Sequence, residues 1–68
     1  MFEVKIRTGG AAFKSGVDDE EIDKIITVGE LKYLLRKIVQ QMEDGYTERS
    51  VIDTNGNEVG EWRLEYDG

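Results

Sequence analysis

The sequence predicts an α+β fold in the order β-α-β-β: a three-stranded antiparallel sheet of order 1-3-2, packed by one amphipathic helix. Three observations lead there. Apolar and charged residues alternate near both ends of the chain, apolar residues recur at helical spacing in the middle, and an Asn-Gly pair divides the last two apolar runs. A right-handed crossover from the first strand to the second, with the third returning between them, makes all neighbours antiparallel.

In residues 2–7, Phe2, Val4 and Ile6 alternate with Glu3, Lys5 and Arg7, as in a strand with one buried face. Gly9-Gly10 ends that strand. Residues 8–26 are expected to form a partly ordered loop, because structureless stretches of that length are uncommon in compact domains. Phe13, beside Ala11 and Ala12, is its expected packing anchor, and Ile22, Ile25 and Ile26 have the spacing of one helical turn.

A helix is expected over 28–44. Thr27 and Glu30 match a capping box, in which each side chain satisfies the other residue's free N–H. Val28, Leu31, Leu34, Leu35, Ile38, Val39 and Met42 then form one broad apolar stripe. Gly45 is placed to stop the helix in a left-handed conformation. A hairpin is expected over 47–66, with strands near 47–53 and 58–66 and a tight turn at Thr54-Asn55-Gly56-Asn57. Trp62, Leu64 and Tyr66 would share its core face. Val51 and Ile52 are adjacent and must face opposite ways, which suggests that the loop covers part of the second face of the sheet.

At 68 residues the chain is expected to be a single domain, 1–68, that spends most of its apolar side chains on its own core. It has no cysteine, so neither disulfides nor thiol chemistry are available. No apolar run approaches the roughly 20 residues that span a bilayer, and the alternating N-terminus does not read as a signal peptide. A soluble, cytoplasmic protein that does not engage membranes is the expectation. Fifteen acids against nine bases give a net charge of −6. That argues against direct binding of nucleic acid, which depends on bases displacing phosphate counterions.

Two motifs invite chemistry and fall short of it. Thr8 to Ser15 resembles a phosphate-binding loop, but Phe13 stands where the glycine before the lysine must be. Asp53-Thr54-Asn55-Gly56-Asn57 imitates the start of a calcium loop, but Glu58 and Leu64 hold the positions of its sixth-place Gly and twelfth-place Glu. No metal or cofactor is expected. With no His and no Cys, the commonest general base and the strongest nucleophile are missing, and an enzyme is not expected.

Two surfaces remain as candidates for binding a partner. One is the acidic run of Asp18, Asp19, Glu20, Glu21 and Asp23, either a solvated loop or a surface that mimics phosphates and fits a basic nucleic-acid channel on another protein. The other is the helix face opposite the apolar stripe, where Lys32, Tyr33, Arg36, Lys37 and Gln40 fall. It is either an ordinary solvated face or an exposed Tyr with basic neighbours, residue types enriched at interface hot spots.

Gly-Gly-Ala-Ala-Phe after the first strand, the amphipathic helix, and Asp53-Thr54-Asn55-Gly56-Asn57-Glu58-Val59-Gly60-Glu61-Trp62 resemble a group of small uncharacterised proteins of bacteriophages, prophages and other mobile elements. The resemblance implies a mobile-element accessory protein and supplies no site residues. The leading functional expectation is therefore a protein-binding accessory factor that inhibits a host or defence nucleic-acid machine, as an anti-CRISPR or DNA mimic would. Its binding residues would be the acidic run together with Tyr33, Arg36 and Lys37. The alternative is a self-associating structural or assembly protein, a homodimer built on the helix face.

Overall fold

The computed structural model describes residues 1–66, so the last two residues of the expected 1–68 unit lie outside the described residues. Strand β1 (Phe2–Ile6) leads into a short 3-10 turn (Ala11–Phe13). Helix α1 (Glu20–Glu43), strand β2 (Glu48–Ile52) and strand β3 (Glu58–Leu64) follow. The sheet has the order β1-β3-β2 and both pairings are antiparallel. The fold is α+β with the expected topology.

The helix starts eight residues before the expected position 28, so the end of the expected loop 8–26 is in fact helical. Its cap is Asp19, whose carboxylate accepts from the backbone N–H of Glu21 at 3.0 Å and of Ile22 at 3.4 Å. Glu20, Glu21 and Asp23 occupy the first turn, where the exposed N–H groups and the helix dipole favour negative charge. Thr27 and Glu30 form no capping box, because both side chains bond elsewhere. Thr27 Oγ1 donates to the Phe13 carbonyl at 2.9 Å, and the buried Glu30 carboxylate accepts from the Thr54 N–H at 3.0 Å and the Thr54 hydroxyl at 3.1 Å. At the other end, Gly45 takes φ +101° after Asp44, the expected stop.

The hairpin loop has three residues, Thr54 to Gly56, and not the tight Asn-Gly turn. Asp53 N–H donates to the Asn57 carbonyl, Gly56 N–H donates to the Asp53 carbonyl, and Gly56 alone takes positive φ. Asp53, itself buried, accepts from the N–H groups of Asn55 and Asn57 at 2.9 Å each. The oxygens that imitate a calcium loop are thus engaged in making the turn.

Strand β3 contains a bulge: Ile52 faces Glu58 but Val51 faces Gly60, so Val59 is an extra residue. Val59 and Gly60 are both buried as a result. A Cβ on Gly60 would overlap the backbone carbonyl of Lys5, so β1 can lie this close only against bare backbone.

The core consists of Phe13, Leu34, Ile38, Val51, Val59 and Trp62. Trp62 sits mid-sheet and donates its indole N–H to Gln41 Oε1 at 2.8 Å, which satisfies the one polar atom it buries. Phe2 meets the Trp62 ring edge-on, with centroids 6.4 Å apart. Tyr66, expected on this face, is exposed and lies beyond the end of β3. The loop before α1 does not cover the second face of the sheet. It brings Phe13 into the core against the helix, and Ile52 stays half-exposed.

Candidate protein-docking face on helix α1

The apolar stripe read from the sequence divides into two parts. Leu34 and Ile38 are 1 % and 2 % exposed, whereas Val28, Leu35 and Val39 are 65 %, 45 % and 49 % exposed, and Ile25 reaches 72 %. Helical geometry explains the split. Successive residues are rotated by about 100°. On that projection Asp23, Thr27, Glu30, Leu34, Ile38 and Gln41 form the inner face, and the exposed residues lie about a third of a turn or more away. A three-stranded sheet and one loop cover the inner face only. Leu31 and Met42, half-buried, mark the border between the two parts.

The outer residues surround a shallow groove lined by Val28, Leu31, Lys32, Leu35, Arg36 and Val39. Four of the six are apolar and both charged members are basic. Acids on this side of the helix, Glu21 and Glu43, stand towards its two ends. Gly29 borders the same strip, in the middle of the helix, with open space where a Cβ would be.

The residues expected to bind a partner do not form one site. The acidic run stands at the start of α1, and Arg36 lies sixteen residues beyond Glu20, about 24 Å along the axis. Two of the acids have structural work. Asp19 caps the helix, and Asp23 Oδ1 accepts from Ser15 N–H at 2.9 Å and from the Ser15 hydroxyl at 3.0 Å. The Ser15 backbone N–H first, then its hydroxyl and the nearby Lys14, hold the Asp23 carboxyl below its ordinary pKa of 3.8. Asp18, Glu20 and Glu21 are exposed, and Glu21 lies 3.8 Å from Lys24.

Tyr33, Arg36 and Lys37 also divide. Lys37 Nζ sits 5.4 Å from the centroid of the exposed Tyr33 ring, a cation–π pair one helical turn apart. Both residues flank the inner face. Lys32 and Arg36 point directly away from the core, beside the apolar strip that the sequence reading had turned inward.

The outer face of the sheet forms another broad concavity, lined by Glu3, Lys5, Glu48, Ser50, Glu61 and Arg63 among others. Its charges are mixed in sign, and Arg63 meets Glu48 at 3.3 Å and Glu65 at 3.4 Å. Such exposed pairs contribute little to stability. Among the described residues no group of three or more acidic, His or Cys side chains is arranged to hold a metal ion, and no helix is long and apolar enough to cross a membrane. Comparison with known protein families, with curated proteins and with solved structures finds no match for this chain.

Proposed function

We propose that this chain is a protein-binding accessory factor that works by docking the outer strip of α1 onto another protein. The observation that carries the reading is the placement of Ile25, Val28, Leu35 and Val39 in water along one line of a helix whose inner face is already satisfied. Contiguous exposed apolar surface on a small domain marks an interaction site, whereas scattered apolar residues do not. With neither His nor Cys in the sequence, the commonest general base and the strongest nucleophile are missing, which favours binding over catalysis.

A second reading keeps the acidic end as the contact. Asp18, Glu20 and Glu21 are exposed at the start of α1, where they could enter a basic nucleic-acid channel on a host or defence protein and inhibit it. It has fewer free acids to work with than the sequence suggested, because Asp19 and Asp23 are engaged within the fold.

A pull-down from bacterial lysate with three forms of the chain separates the two readings. One form is unaltered, one carries Val28→Gln with Leu35→Gln, and one carries Asp18→Asn, Glu20→Gln and Glu21→Gln. A partner lost only with the first pair supports docking through the strip. One lost only with the acids transfers the function to the acidic start of α1. A partner retained by all three forms overturns both.

A further inference from the structure

The strip has the geometry of a seam for one more helix. Ile25, Val28, Lys32, Leu35, Val39 and Met42 follow each other at intervals of three and four residues. That is the spacing of the a and d positions of a left-handed helix pair. From Ile25 to Met42 the seam runs about 26 Å, close to the length of a five-turn helix. It is also narrow, because Leu31 on one side and Arg36 on the other limit it to one row of side chains. A single-file seam of this length fits the helix-in-groove mode of recognition, in which one amphipathic helix supplies the apolar row.

Charge decides which helix. The central part of the seam carries Lys32 on its axis and Arg36 on its border, with no acid between Val28 and Val39 on that side. A second copy of this chain meets them badly. The antiparallel register that seats every seam residue pairs Ile25 with Met42, Val28 with Val39 and Lys32 with Leu35 of the other copy. Its centre then gathers two Lys32 and two Arg36 without a counter-charge. A parallel pairing sets Lys32 against Lys32. Like charges desolvated together cost several kcal/mol on the order of a whole hot spot.

We propose that the occupant is an amphipathic helix of another protein, with apolar residues at i, i+3, i+4 and i+7 flanked by a few Asp or Glu that meet Lys32 and Arg36. This rests on the reading of α1 as the docking face. The flanking acids are few because the chain's net charge of −6 repels a long acidic run at a distance. At a Debye length of about 8 Å in physiological salt, the local bases govern the contact. Gly29 lets the partner's backbone approach on the Arg36 side, which gives a role to a residue that otherwise weakens the helix by about 1 kcal/mol relative to Ala.

The test uses three synthetic helices of about 18 residues, about 27 Å long, that share one Leu/Ile seam and differ only in Glu, Gln or Lys flanks. Each is titrated into the isotope-labelled full chain while amide shifts are followed. The Glu-flanked peptide is expected to bind about tenfold tighter than the Gln-flanked one, a difference near 1.4 kcal/mol. The Lys-flanked peptide should be weakest, and shifts should concentrate in residues 25–42. Lys32→Glu with Arg36→Glu should invert the order. Equal affinity for all three peptides, or no inversion, overturns the charge assignment while leaving the docking face standing. If no peptide perturbs residues 25–42, the docking face itself fails. Sedimentation of the chain alone as a dimer that Leu35→Glu dissociates would assign the seam to a second copy and overturn the proposal. Tighter binding to vesicles containing anionic phospholipid than to any peptide would overturn it in favour of a membrane surface.

Discussion

Leu34 and Leu35 are neighbours on one helix, identical in chemistry, and lie in opposite environments. Leu34 is sealed against the core with Ile38 and Trp62, while Leu35 faces water beside Val28 and Val39. Around the inner face every polar group has a specific bond: Glu30 to Thr54, Gln41 to Trp62, Thr27 to the Phe13 carbonyl. The outer face has the apolar side chains but no such bonds. Hydrophobicity alone therefore does not place a residue in this core. What places it is the width of the surface available to cover it, and three strands with one loop cover less than the helix offers.

The sharpest way to break this contrast is to truncate each face and measure unfolding. Trp62→Ala is expected to cost about 3–5 kcal/mol and Leu34→Ala about 2–5 kcal/mol, from lost burial and residual cavity. In a domain of this size either loss removes much of the stability, so denaturant midpoints should fall steeply. Leu35→Ala should stay within about 0.5 kcal/mol of the parent, as exposed substitutions do. Similar losses for Leu34→Ala and Leu35→Ala would mean that the outer strip is already covered in solution.

Gly60→Ala should separate β1 from β3, because its Cβ would overlap the Lys5 carbonyl. The expected loss is about 1–3 kcal/mol or more. Amide exchange would show it as lost protection across Phe2 to Ile6. Glu30→Ala removes the acceptor of the Thr54 N–H and hydroxyl, exposed groups that can turn to water, and should cost about 0.5–1.5 kcal/mol. In a double-mutant cycle with Thr54→Val the coupling should exceed about 0.5 kcal/mol.

On the outer face the sign should reverse for Gly29→Ala, which is expected to stabilise the free chain by about 0.5–1 kcal/mol through helix propensity. The same change should weaken partner binding if a helix approaches closely there.

The smallest effect concerns the loop that covers the first turns of the helix. Ser15 lowers the pKa of Asp23 in the folded chain, so this contact's contribution is complete above the ordinary value of 3.8 and is lost as pH falls through the folded value. A carboxyl titration by NMR should give an Asp23 midpoint below 3.8, and Ser15→Ala should return it only part of the way, because the backbone N–H, the larger cause, remains. A midpoint at or above 3.8 in the unaltered chain would remove the clamp from the account.

The strands, the order of the sheet and the C-terminal stop of the helix were legible because each rests on a local pattern: period-two alternation, one helical stretch, and Gly45 after the last helical turn. The start of the helix was misplaced for an equally local reason. Thr27-Val28-Gly29-Glu30 imitates a cap, while the true cap lies in the acidic run, which the sequence reading treated as a surface. The signal was available, since Asp19 followed by two acids and then Ile22 is a helix start with favourable charge in its first turn. Moving the start to Asp19 redistributes the candidate site, because it assigns Asp19 and Asp23 to structure and leaves Asp18, Glu20 and Glu21 exposed.

The sequence by itself determined the element types, the apolar residues available to α1 and the net charge, because these depend on neighbours within a few positions or on composition alone. Only the tertiary structure decided which apolar residues are core and which are surface. That depends on where Phe13 packs, on the Val59 bulge that brings two consecutive residues inward, and on Glu30 reaching Thr54. Each is a contact between segments distant in sequence, and the rotation of the helix about its own axis is set by their sum.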